Sequence, residues 1–163
     1  MNAAVITIST SAVAGDREDV SGQMLAEAAA AAGANVVARE LIPDDQDVIE
    51  QTLRRHSAPE ADTALIFTTG GTGLTPDDVT PEATRAVIER DAPGFAEALR
   101  AESLKHTPMG ILSRGVSGIA GRTLIVNFPG NPKSIRELFP VIAPVLEHAV
   151  GTLQRDRGEP AGH

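Results

Sequence analysis

Two kinds of residue stand together in one stretch of this chain, and together they suggest phosphate chemistry. Thr69-Gly70-Gly71-Thr72-Gly73 follows an apolar run, and Asp77-Asp78 comes shortly after it. Glycines let a backbone adopt φ > 0 and lie close to a ligand, offering N–H groups to anionic oxygens. Carboxylates beside a phosphate repel it unless a divalent cation lies between them. The pairing therefore points to a metal–nucleotide site. Pro43-Asp44-Asp45 supplies further acids, one of which can cap the helix that follows. Pro129-Gly130-Asn131-Pro132-Lys133-Ser134 is a third polar loop, carrying a cation and a helix start.

The elements that would position these loops follow from periodicity. Ala4 to Ser9 is a short, β-branched, near-continuously apolar run of the kind buried on both faces of a parallel sheet, and Val36 to Ile42, Thr63 to Thr69 and Thr123 to Phe128 read as further strands. Between them the pattern turns helical. Ser21 can cap a helix through Met24, Leu25 and Ala28 to Ala32, stopped by Gly33. Val48, Ile49, Thr52 and Leu53 share one helix face. Thr80-Pro81-Glu82 is a helix start with Thr80 as the expected cap, and a further helix is expected around residues 95 to 105. Gly110 to Val116 is strand-like and is joined to Thr123–Phe128 by a tight connection, which predicts one non-parallel strand or hairpin near residues 110–128. The last helix carries Ile135, Leu138, Phe139, Ile142, Val145 and Leu146, and Pro140 and Pro144 should bend or split it.

The expected fold is α/β: a doubly wound, mostly parallel sheet with helices on both faces. Residues 1–153 suit a single domain, and residues 154–163 lack periodicity and read as a mobile tail. The loops after Ser9, Thr69 and Phe128 should then meet at one end of the sheet. The polar loop from Thr10 to Asp19 can serve as a solvated connection or as part of that meeting point.

Other chemistries are disfavoured. There is no cysteine, so disulfides, thiolate metal sites and thiol nucleophiles are excluded. His56, His106, His148 and His163 lack zinc spacing. A P-loop fails because Pro132 precedes Lys133-Ser134, and the dinucleotide fingerprint fails after Gly71-Thr72-Gly73. No nucleophile elbow surrounds Ser113. A net charge of −8 argues against a nucleic-acid partner, and no run approaches the ~18 apolar residues of a membrane span. With no signal-type N-terminus, the expected location is cytoplasmic.

Taken together, Thr69-Gly70-Gly71-Thr72-Gly73, Asp78-Val79-Thr80-Pro81-Glu82-Ala83-Thr84 and Pro129-Gly130-Asn131-Pro132-Lys133-Ser134 resemble the MogA/MoaB-type molybdenum cofactor biosynthesis family. Leu41-Ile42-Pro43-Asp44-Asp45, Pro93-Gly94-Phe95 and Leu112-Ser113-Arg114 extend the likeness across roughly residues 4 to 150. The resemblance implies a molybdopterin adenylyltransferase, moving AMP from Mg-ATP to the terminal phosphate of molybdopterin with release of pyrophosphate. The alternative is a non-catalytic molybdopterin-binding protein or carrier of the same fold. It implies a homotrimer and a downstream molybdate-insertion enzyme. By position, it makes Asp44 and Asp78 the functional carboxylates and holders of Mg²⁺, with Asp45 the alternative if the register slips by one. Thr69, Gly70, Gly71, Thr72 and Gly73 become the phosphate or pterin loop, and Ser113, Lys133 and Ser134 further substrate contacts. Arg114 is either part of that site or a surface ion-pair partner. Asp77 stands where many members of the family carry a basic residue, which makes it a solvated or a second metal-facing acid.

Overall fold

The computed structural model describes residues 1–156 and 158. Six strands form one sheet in the order β2-β1-β3-β6-β5-β4, where β1 is Asn2–Ile8, β2 Asn35–Ile42, β3 Leu65–Thr69, β4 Arg90–Asp91, β5 Ser117–Ala120 and β6 Thr123–Phe128. β1 pairs in parallel with both β2 and β3, and β3 pairs in parallel with β6. β5 runs antiparallel to its neighbours β6 and β4. The mostly parallel sheet with one reversed strand is therefore present, but the strand lies later than its apolar pattern suggested. Pro108–Leu112 is a 3₁₀ turn, and β5 is built from the small residues Ser117 to Ala120. Close packing sets both choices. A Cβ on Gly110 would lie 2.6 Å from Ser103 Oγ, and one on Gly118 would lie 2.6 Å from Ile88.

Alternation along the central strands divides the core between the two faces of the sheet. On one face Val5, Leu65, Phe67, Leu124, Val126 and Phe128 pack against α2 (Val20–Ala31), α5 (Pro93–His106) and α6 (Pro132–Ile142). Three of the four phenylalanines meet there: Phe67 stands edge-on to Phe128 and Phe139, with ring centroids 6.0 and 5.4 Å apart. On the other face Ile6, Ile8, Ile66 and Ile125 pack on α3 (Gln46–Ser57) and α4 (Thr80–Val87). That face also holds one polar knot, in which the Asn127 amide donates to the hydroxyls of Thr68 (2.9 Å) and Thr84 (3.1 Å) while its Oδ1 accepts the Val116 N–H. Both amide hydrogens and the amide oxygen of the buried side chain have partners, so it adds order without an unpaired polar atom.

Several local expectations change. The loop after β1 contains a short helix, α1 (Thr10–Val13), capped by Ser9. Asp19, not Ser21, caps α2: its Oδ1 accepts the Gly22 N–H at 2.9 Å. Asp45 caps α3 through Val48 N–H at 3.0 Å, which frees Asp44. Thr80 does not cap α4 with its side chain, because its hydroxyl donates 3.0 Å to Gly70 O. Pro140 is accommodated within α6, and the chain breaks at the 3₁₀ segment Ala143–Val145 before α7 (Leu146–Leu153). At the start of the expected tail, Gln154 O and the Asp156 carboxylate accept from Arg122. Positions 157 and 159–163 of that tail lie outside the described residues.

Candidate active site

β1 sits between β2 and β3, so the chain leaves its carboxyl end toward one neighbour while the next parallel strand lies on the other side. Open α/β sheets bind ligands at such a switch point. A cleft of about 540 Å³ opens there, bordered by Ser9 after β1, Asp44 after β2, Gly70, Gly71 and Asp78 after β3, and Asn131 after β6.

The glycine turn is shaped by contacts that only glycine permits. Gly70 has φ +103, and a Cβ there would lie 2.2 Å from Ile8 O. Its N–H donates to Phe128 O at 3.1 Å, so it knits two strand ends together and is not free for a ligand, contrary to the expectation for it. Gly71 has φ +66, and a Cβ would come within 2.3 Å of Thr80 Oγ1 and 3.2 Å of Asp44 Oδ1. The N–H groups of Gly71, Thr72 and Gly73 have no acceptor among the described residues and are the loop's available donors. Thr69 borders the cleft, but its buried hydroxyl is committed to Pro129 O at 2.8 Å.

The two acids are held in the same manner. Asp44 Oδ2 accepts from both the N–H (2.9 Å) and the hydroxyl (3.1 Å) of Thr10. Asp78 Oδ2 accepts from both the N–H (2.9 Å) and the hydroxyl (2.8 Å) of Thr75. In each case Oδ1 has no hydrogen-bond partner among the described residues. The Asp78 carboxylate also lies against Gly73, whose Cβ would fall 2.8 Å from Oδ2. Arg114 fixes the loop carrying Asp78: its guanidinium donates to Gly73 O (2.7 Å), Asp78 O (2.6 Å) and Glu82 Oε1 (2.5 Å). That bond to Arg114 holds the Glu82 carboxyl below the usual carboxylate range. Arg114 thus acts as a clamp on the acid loop, beyond a simple surface pair.

Other expected site residues lie elsewhere. Lys133 is in the first turn of α6, its side chain 74% exposed and its Nζ 3.6 Å from Glu137 Oε1, away from the cleft lining. The four-residue spacing to Glu137 is a signal of that pairing already present in the sequence. Ser134 follows it on α6 and does not border the cleft; its N–H donates to Asn131 O. Ser113 Oγ accepts from Gly115 N–H at 3.4 Å beside a separate small cavity. Thr72 and Gly73 lie just past the lining, and Asp77 is exposed. Cleft residues not anticipated include Ser9, Ser11, Arg17 and Asp19. Ser9 follows β1 directly and the others belong to the polar loop of residues 10–19, whose place at the carboxyl end of a central strand points to the cleft without singling out these residues.

No group of three or more His, Asp or Glu side chains suited to a metal occurs among the described residues. Two carboxylates with open oxygens still fit magnesium, which is commonly held by one or two protein carboxylates with substrate phosphates completing its shell. They do not fit zinc, which favours nitrogen and sulfur ligands.

Such an arrangement defines an open α/β protein whose cleft, at the sheet's switch point, is bordered by a glycine turn and by two carboxylates with open oxygens. The chain belongs to the family described as "Probable molybdopterin binding domain", which matches residues 4–148. It is 40% identical over 148 residues to the molybdopterin adenylyltransferase of Helicobacter pylori strain J99, covering 90% of this chain and 84% of that protein. It is 42% identical over 153 residues to the molybdenum cofactor synthesis protein cinnamon of Drosophila melanogaster, covering 93% of this chain and 25% of the fly protein. The chain therefore spans about a quarter of that relative. Among solved structures, the molybdopterin biosynthesis enzyme MoaB of Thermus thermophilus superposes with a TM-score of 0.87 at 43% identity, covering 98% of each chain.

Proposed function

We propose that this protein is a molybdopterin adenylyltransferase that uses Mg-ATP. The observation that carries the proposal is the pair Asp44 and Asp78, each anchored through Oδ2 with Oδ1 open, in one cleft with the unpaired Gly71 N–H, Thr72 and Gly73 following just past its lining. Relatives bearing that enzyme name support the same reading.

In the reaction, an oxygen of the terminal molybdopterin phosphate bonds to the α-phosphorus of ATP. The bond from that phosphorus to the bridging oxygen breaks, and pyrophosphate leaves with the electron pair. The attacking phosphate is already anionic at neutral pH, so the site needs alignment and charge neutralisation more than a general base. This agrees with a cleft that no histidine borders among the described residues. Asp44 and Asp78 would hold the magnesium ion, which when bound neutralises phosphate charge. The N–H groups of Gly71, Thr72 and Gly73 donate to phosphate oxygens as charge develops. Asn131 caps α6 through Oδ1, and its amide nitrogen, at the cleft edge, has no partner among the described residues.

The test is Asp78→Asn, assayed for pyrophosphate release with molybdopterin and Mg-ATP. Loss of rate on the order of 100-fold or more is expected, and turnover at the wild-type level would sink the reading.

The proposed assembly is a homotrimer, supported by the exposed apolar side chains Leu104, Met109, Ile111 and Leu112 on and beside the 3₁₀ turn. Sedimentation at the 17.0 kDa of one chain would contradict it. No helix among the described residues is long and apolar enough to cross a membrane. An ATP-consuming reaction fits a cytoplasmic setting, with the product passing to a molybdate-inserting enzyme.

A further inference from the structure

Four carboxylates border the cleft, Glu18, Asp19, Asp44 and Asp78, against one cation, Arg17. A ligand carrying phosphates would meet a predominantly negative wall. Asp44 and Asp78 are explained by the open oxygens already described. Asp19 is occupied: its Oδ1 accepts Gly22 N–H, its Oδ2 accepts the Thr7 hydroxyl at 3.0 Å, and Arg39 stands 3.8 Å away. Arg17 shares with Arg85, Arg90 and Arg136 the lack of a side-chain hydrogen bond or ion pair among the described residues, and of these four it alone borders the cleft. Arg39, Arg54, Arg55, Arg100, Arg114 and Arg122 each bond or pair with a protein group. Arg17 has neither a hydrogen bond nor an ion pair among the described residues, although it lies beside Glu18 and near Asp19 in sequence.

We propose that Arg17 grips a phosphate oxyanion of the bound substrate. It reaches the ligand from the segment between α1 and α2, while the carboxylates on the loops after β2 and β3 face the cation. The proposal rests on the phosphoryl-transfer reading above. A guanidinium presents a fork of N–H donors matched to phosphate oxygens and is always charged. It would supply the positive contact that the sequence suggested for Lys133, whose ammonium turns instead toward Glu137. ATP and molybdopterin both carry phosphate, so the experiment treats them separately.

Calorimetric titration of Mg-ATP, and separately of molybdopterin, is compared for the wild type, Arg17→Ala and Arg17→Lys. Arg17→Ala is expected to weaken at least one ligand about 10-fold or more, the scale of a lost charge-assisted hydrogen bond. The ligand affected identifies whose phosphate is held, and Arg17→Lys should restore part of the loss. Having no partner, Arg17 should leave the melting temperature within about 2 °C when removed, so weakened binding cannot be ascribed to unfolding. Wild-type affinity for both ligands in Arg17→Ala overturns this proposal and leaves the enzymatic reading standing. Absence of binding by the wild type overturns both.

Discussion

Replacing Gly71 by alanine tests whether the turn, the helix start and one acid form a single packed unit. At φ +66 any Cβ-bearing residue is strained, by about 1–2 kcal/mol. The new methyl would also sit 2.3 Å from Thr80 Oγ1 and must displace it. That hydroxyl makes a hydrogen bond to Gly70 O with both ends buried, and losing it adds about 1–3 kcal/mol. Gly33→Ala provides the reference: its φ is +87, yet nothing lies within 4 Å of the added Cβ, so it carries strain alone. Gly71→Ala should therefore exceed Gly33→Ala by about 2 kcal/mol, or roughly 4–8 °C in melting temperature for a chain of this size. Differential scanning calorimetry at matched protein concentration reads the difference. Thr80→Ala removes the obstructing atom, so Gly71→Ala in that background should fall to the cost of Gly33→Ala, a coupling of about 1–3 kcal/mol. Equal losses in both backgrounds would refute the argument. Because the methyl also stands 3.2 Å from Asp44 Oδ1, the variant should need more magnesium for turnover than Gly33→Ala does.

The remaining expectations concern charged groups. Glu40 accepts two bonds from Arg55 (2.9 and 2.8 Å) and one contact from His56 Nε2 at 2.5 Å, tying β2 to α3. Arg55 first, opposed by burial and then aided by His56, lowers the Glu40 carboxyl from 4.5 to about 2. A depressed carboxyl binds fewer protons folded than unfolded, so its stabilisation is present above pH 4.5 and is lost as pH falls from there toward 2. Glu40→Gln should therefore flatten the acid limb of a stability-versus-pH curve, and an unchanged limb would show that the triad contributes nothing. Arg114→Ala releases Gly73 O, Asp78 O and Glu82 together. Magnesium titration of pyrophosphate release should show the requirement raised about 10-fold, as for other residues that orient a metal ligand; an unmoved magnesium curve would confine Arg114 to structure.

How much of this was visible in the residues themselves depended on the range of the interactions. Strands β1, β3 and β6 were legible because burial on both faces forces a continuous apolar run. Asp44 and Asp45 were indistinguishable as caps, since either can reach a first-turn N–H; the decision came from Thr10, 34 residues away, which claims Asp44. Thr80 was misassigned for the same reason, its hydroxyl answering a buried carbonyl on another loop. Gly110 to Val116 carries strand-like residues, but packing against Ser103 makes a turn of its first part. Lys133 was placed in the site by motif, while its helical neighbour Glu137 draws it outward. Arg17 lay in a loop with no periodicity, and only the enclosure of the cleft shows that it is the lone cation there.

The matched anchoring of the two acids conceals an unequal history of assembly. Asp78 takes its threonine from three residues away within one loop, so that half can form as soon as the loop bends. Asp44 and Thr10 meet only after β2 has docked on β1, and β2 is the outermost strand on its side of the sheet. A transient peeling of that edge would dismantle one half of the proposed cation site and spare the other. Exchange of the Thr10 amide hydrogen, which donates to Asp44, therefore reports directly on how often the protein stands with only one of its two carboxylates in position.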